Sequence, residues 1–177
     1  MKYQYKTAFQ TGAVLFVGLI MLLIMSVIAI TGMQSATLEE RMAGNTRDNI
    51  VAFQAAEAAL KAGEVLLDSG TLTLNLFDND GSDGLYDNTF DMIWSAINWI
   101  NTDSRTYTGF NPTNVSTPPR FVIQRIAETQ VAPKVILENY GEGEVSKTVQ
   151  LFRLTSRGTG GSNNTAVVLQ SVYGSDW

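Results

Sequence analysis

The chain of 177 residues contains no cysteine and no histidine. Without cysteine there can be no disulfide and no thiolate metal site. Without histidine the commonest general base and the usual zinc ligand are also gone. No convergent Ser/Lys or paired-carboxylate motif replaces them, so an enzyme is not expected. Cations are scarce: leaving out Lys2 and Lys6, the 12 Lys and Arg fall to 10 against 17 Asp and Glu, a side-chain charge of −7 beyond residue 12. Phosphate recognition starts from clustered Lys and Arg, so no nucleic-acid partner is indicated. No internal repeat of solenoid or propeller period is present.

Against these absences stands one long apolar run. Residues 13–33 carry no charged side chain, and Gly12 stands directly before them. At 1.5 Å per residue the run makes a helix of about 31 Å, the thickness of a bilayer's hydrocarbon core. One membrane span is expected. Lys2 and Lys6 precede it with no acidic residue, so the positive-inside rule leaves the N-terminus in the cytoplasm and sends the remainder across. A secretory signal would have a shorter apolar core and an A-x-A type of cleavage site. Here the run ends in Thr31-Gly32-Met33-Gln34 and passes into helix-favouring sequence. A signal-anchor helix kept whole is one reading of this pattern.

The flanking residues support a narrower one. A short basic segment, Gly12 and a retained apolar helix resemble a class III, prepilin-type leader. The resemblance implies cleavage by a prepilin peptidase between Gly12 and Ala13, and N-methylation of Ala13. Downstream, Leu38-Glu39-Glu40-Arg41-Met42-Ala43-Gly44-Asn45 and Ala52-Phe53-Gln54-Ala55-Ala56-Glu57-Ala58-Ala59-Leu60 resemble the N-terminal signature of PilX-type minor pilins of type IV pili. The likeness is close over residues 1–64. It returns at Arg157-Gly158-Thr159-Gly160-Gly161-Ser162-Asn163-Asn164. It implies an inner-membrane protein with an extracytoplasmic domain that later enters the pilus, with other minor pilins and the major pilin as partners. Many pilins clasp the C-terminal region with a disulfide; this chain is expected to close it by strand pairing alone.

Val17 is the fifth residue counted from Ala13, where most pilins carry a glutamate. In the family picture that glutamate pairs with the N-terminal amine of a neighbouring subunit. A carboxylate near the centre of a bilayer helix costs about 2.5–3.5 kcal/mol, so it is kept only where it has a partner. Its absence resembles the PilX group and the K-type minor pseudopilins of type II secretion, subunits associated with the filament tip. Without the family, Val17 reads as one more lipid-facing apolar residue.

Beyond the span, residues 34–68 are rich in Ala, Glu, Leu and Arg, and Ile50, Phe53, Ala56, Leu60, Gly63 and Leu67 recur at helical steps. One helix over residues 13–68, about 84 Å long, is expected, with that apolar face against a sheet. Glu57 and Lys61 are spaced for a solvated i,i+4 pair. Asp68-Ser69-Gly70 supplies the stop. Gly18, Gly32 and Gly44 are places to bend or to pack closely against a neighbour. Residues 121–127, 148–154 and 165–173, rich in β-branched and aromatic side chains, read as antiparallel strands, with a further short strand near 135–138 and turns at Glu142-Gly143 and 158–164. The fold class is therefore α+β and pilin-like: a long N-terminal helix, membrane-spanning in its first half, packed against a C-terminal antiparallel sheet.

Residues 71–120 belong to neither pattern. Phe90, Ile93, Trp94 and Ile97 share one helical face, which predicts a short amphipathic helix near 90–100. Trp94 and Trp99 read either as core and cover for the sheet or as an exposed patch for another subunit. Asn111-Pro112 and Thr117-Pro118-Pro119 mark an extended entry to the sheet. In the acidic stretch of residues 78–87, Asp78, Asp80, Asp83 and Asp87 are candidate calcium ligands, since alternating carboxylates and glycines let a loop wrap one ion. It is not an EF-hand, because Asp83 stands where the glycine is required and no glutamate closes the motif. A solvated turn is the other reading.

The organisation expected is a leader over 1–12, the transmembrane half of the helix over 13–33, its amphipathic half over 34–68, a variable region over 69–119 and the sheet with its tail over 120–177. The favoured function is a minor pilin in a priming and tip complex that starts pilus assembly. The alternatives are a calcium-assisted tip adhesin, a minor pseudopilin of type II secretion, and an anchored enzyme or sensor.

Overall fold

The computed structural model describes residues 11–90, 97–100, 102–109, 115–131 and 147–176. The chain divides into two units, 1–45 and 46–177. Helix α1, Thr11–Asp68, contributes to both and continues through Gly18, Gly32 and Gly44. It stops as expected, with Gly70 at a φ of 65° just past its end.

In the first unit α1 stands with every described side chain exposed, including Val14, Leu15, Phe16, Leu22 and Ile28. Its hydroxyls turn back onto the helix: Ser26 Oγ donates to the Leu22 carbonyl at 2.8 Å, and Thr31 Oγ1 to the Ile28 carbonyl at 2.9 Å. The two hydroxyls within residues 13–33 are thus satisfied inside the segment, as a bilayer requires. α1 is the helix among the described residues long and apolar enough to cross a membrane.

The second unit is built on three long antiparallel strands: β3, Arg120–Val131, pairs with β4, Lys147–Thr159, which pairs with β5, Ala166–Asp176. All three are longer than expected, and β4 runs on through Gly158 into what had read as a turn. The turn is confined to residues 160–165, where Gly160 N donates to the Thr165 carbonyl at 2.9 Å. Two short strands complete the sheet along the free side of β3. These are β1, Leu85–Tyr86, parallel to it, and β2, Arg105–Thr106, antiparallel. The sheet is therefore mixed at that edge, and sequence periodicity cannot detect strands of two residues. The expected strand near 135–138 and the turn at Glu142-Gly143 lie outside the described residues.

The helix face that meets the sheet differs from the expected one. Ala52, Ala55, Ala56 and Ala59 are fully buried, followed by Gly63 and Leu67, whereas Ile50 and Phe53 are 52% and 46% exposed. The physical reason is the closeness of the backbones. A Cβ on Gly158 of β4 would lie 2.3 Å from both the Ala52 carbonyl oxygen and the Ala56 nitrogen. Only small residues fit such a contact, so the alanines take it and Phe53 is turned to the flank. Farther along, Leu154 and Phe121 close on Gly63. The core continues through Leu67, Leu72, Phe77, Leu85, Ile123 and Phe152. Lys61 pairs with Glu64 at 3.0 Å instead of with Glu57.

The variable region covers the other face of β3. Tyr86, Ile97 and Val122 form a second buried cluster, with Phe90 and Trp99 packed against it. Gln124, buried on that face, donates to the Phe90 carbonyl at 2.6 Å and accepts from Arg153 at 3.3 Å. Trp99 is therefore cover for the sheet. Residues 91–96, with Trp94 and the middle of the expected short helix, lie outside the described residues; 97–100 are irregular.

Candidate functional site

Three places carry the candidate residues. In the first unit, Gly12 and Ala13 lie in the first turn of α1 after Thr11, and Val17 lies on it 54% exposed. The signature residues Leu38, Glu39, Glu40, Arg41, Met42, Ala43, Gly44 and Asn45 form a continuous exposed stretch of α1. A Cβ on Gly18, Gly32 or Gly44 would meet no described atom within 4 Å. Lys2 and Lys6 lie outside the described residues.

The second place is the segment 157–164, where the glycines have a structural task. Gly158 touches the α1 backbone, and a Cβ on Gly160 would strike the carboxylate and carbonyl of Asp48. Asp48 accepts from the Gly161 amide and, at 3.4 Å, from Ser162 Oγ. Together with a hydrogen bond from Thr165, the largest contribution, these donors hold its carboxyl below the usual range. On the other side Ser116 N donates to the Gly160 carbonyl at 2.8 Å, and the hydroxyls of Thr117 and Thr159 meet at 2.8 Å. At the far end of β5, Tyr173 Oη reaches Asp68 at the end of α1. Strand pairing is therefore not the whole closure in this cysteine-free chain: two carboxylates of α1, Asp48 and Asp68, hold the β4–β5 hairpin at both ends. Nothing in the sequence linked Asp48 to residues more than a hundred positions away.

The third place is the acidic loop. Its ends close on each other, with Asp87 N donating to the Asp78 carbonyl at 3.0 Å. Asp78 Oδ1 accepts from Gly81 N at 2.8 Å, and Asp87 Oδ1 accepts from the amide and hydroxyl of Thr89 at 2.8 and 2.6 Å. Asp80 and Asp83 stand exposed, and the Asp83 carbonyl takes Arg105 Nε at 2.6 Å. Gly81, at a φ of 65°, carries the Tyr86 ring against it so closely that a Cβ would fall 1.8 Å from a ring carbon. The loop is thus shaped by local turn chemistry and by Tyr86. Asp78, Asp80, Asp83 and Asp87 are not drawn into one ligand set, and no group of three or more carboxylates among the described residues could hold a metal.

A long helix, apolar in its first part and laying a small-residue face under a mixed, mainly antiparallel sheet in its second, is a pilin-like architecture. Residues 11–61 match the family model described as PilX N-terminal, and residues 44–175 match that of the type IV pilus assembly protein PilX, C-terminal part. The chain belongs to the PilX family of type IV pilus minor pilins. The family is a structural component of the pilus and associates with other pilus components. No curated protein and no solved structure matches the chain.

Proposed function

We propose that this chain is a priming subunit of the type IV pilus, joining other minor pilins in the inner membrane, starting filament assembly and ending at the tip. The observation that carries this reading is Val17. α1 has no carboxylate from its start to Glu39, so the helix offers nothing to the amine of a subunit stacked beyond it. A subunit lacking that contact is suited to the first position, where nothing lies farther out. Prepilin peptidase is the enzyme proposed to act before this, cutting between Gly12 and Ala13. Ala13 would then be N-methylated, and residues 13–33 would hold the protein in the inner membrane while 34–177 fold outside it.

Deleting the gene tests the reading. Pilus number should fall sharply while the major subunit stays stable in the membrane. Normal piliation in the deletion strain would refute the priming role.

A further inference from the structure

β5 is the last strand of the sheet, paired to β4 on one side and to no other strand among the described residues. Gly160 N donates to the Thr165 carbonyl at the turn, and the register from Thr159↔Ala166 onward is unbroken. Antiparallel pairs alternate, so the odd-numbered residues of β5 bond to β4 and the even-numbered ones aim their backbone N–H and C=O at the free edge. Those are Ala166, Val168, Gln170, Val172 and Gly174. Natural edge strands are usually short, bulged, proline-containing or charged. This one runs 11 residues with no proline, and no charge before its final residue.

The flank of α1 beside that edge is also unfinished. Tyr173 reaches Asp68 and feels the charge of Glu64, which puts this side of the helix next to β5. At 3.6 residues per turn the same side carries Glu57, Leu60 and Phe53. Phe53 is 46% exposed, and Leu60, Val167 and Leu169 are only partly covered. No strand among the described residues covers these apolar side chains.

We propose that the free edge of β5 is a strand-acceptor site, into which an extended segment of a different pilus subunit pairs along residues 166–174. Only another β-strand matches a row of outward amides and carbonyls at this spacing. Its alternate apolar side chains lie over Phe53, Leu60 and Leu169, and a Lys or Arg among them faces the exposed Glu57, Glu64 being paired with Lys61. That charge pattern disfavours a second copy of this chain, whose own β5 offers no cation and whose acidic flank would approach this one. The proposal rests on the reading of the chain as an assembly subunit, since it takes its partner from the pilus.

The test uses the full-length protein in its native membrane. Val172 is 63% exposed and its N–H points outward, so Val172→Pro removes an edge donor without touching the β4 ladder. It should lower pilus number at least tenfold while the detergent-purified chain unfolds within a few degrees of the wild type; Val172→Thr should leave piliation unchanged. A photo-crosslinking residue at 172 should capture an extended segment of another pilus subunit, identified by mass spectrometry, and one at Asn88 on the loop should not. Normal piliation by Val172→Pro in a strain whose deletion is bald would overturn the strand-acceptor site and spare the priming role. If the deletion itself is piliated, the priming role fails and the crosslink alone decides. Capture of a second copy, or no capture above that at Asn88, overturns the proposal.

Discussion

The hydroxyl of Tyr173 on β5 lies 2.8 and 2.7 Å from the two carboxylate oxygens of Asp68, the last residue of α1. At the other end of the hairpin Asp48, twenty residues earlier on the same helix, accepts from Gly161 and Ser162. The β4–β5 hairpin is thereby fastened to α1 at two points with no disulfide.

The two fastenings respond to opposite ends of the pH scale. Hydrogen bonding to Asp68 raises the Tyr173 phenol above its ordinary value. Its contribution is therefore whole below the unfolded value of about 10 and is lost as pH rises through the higher folded value. Hydrogen bonds hold Asp48 below its ordinary value, so its contribution is whole above about pH 4 and is lost as pH falls through the folded value. Tyr173→Phe should lower the Tm of the detergent-solubilised chain at neutral pH, and the gap from wild type should close as pH rises through the raised Tyr173 value. For Asp48→Asn the gap should close in acid.

Packing on the small-residue face gives a graded series. Gly158→Ala sets a methyl group against α1 backbone that cannot move aside, and should cost about 3 kcal/mol or more. Phe152→Ala, at a site fully buried in the core, should cost about 3–5 kcal/mol. Phe53→Ala, by contrast, should cost less than about 1 kcal/mol, because nearly half the ring is already in solvent. Chemical denaturation of the three variants checks the order. A Phe53→Ala loss equal to that of Phe152→Ala would contradict the rotated helix face.

Legibility of the sequence followed the range of the interactions. The helix from about residue 13 to Asp68, its stop at Gly70 and the three long strands show in local periodicity and turn chemistry, although each strand runs past the bounds that periodicity gives. The orientation of the helix was not legible. A count of large apolar residues favoured Ile50 and Phe53, but the contact is decided by Gly158, a hundred residues away, which admits only alanine. For the same reason the glycines of 157–164 could be matched to a family yet not understood until Asp48 lay beside them. β1 and β2 escape because a two-residue strand exists only through β3. The acidic stretch reads both as a solvated turn and as an ion loop because the two draw on the same residues; Asp78 and Asp87 accept from nearby backbone amides.

At the leader, Gly12→Val should leave the full-length precursor in the membrane. Mass spectrometry of wild-type protein should give a mature chain beginning at methylated Ala13. A different first residue would break the prepilin reading at its first step.

Restoring the family's usual carboxylate probes the same helix. Val17→Glu should not improve incorporation into pili, since a tip subunit has no amine beyond it to meet. An unpaired carboxylate in the span should instead weaken assembly. Increased incorporation, read by immunoblot of sheared filaments, would argue for an ordinary shaft position.

The central claim is that this chain begins the filament and stays at its end. Quantitative labelling of sheared pili with an antibody to residues 46–177 tests it most directly. The account predicts a label confined to one end of each filament, with a copy number independent of length. Label at regular intervals along the shaft, at a stoichiometry near that of the major subunit, would contradict it.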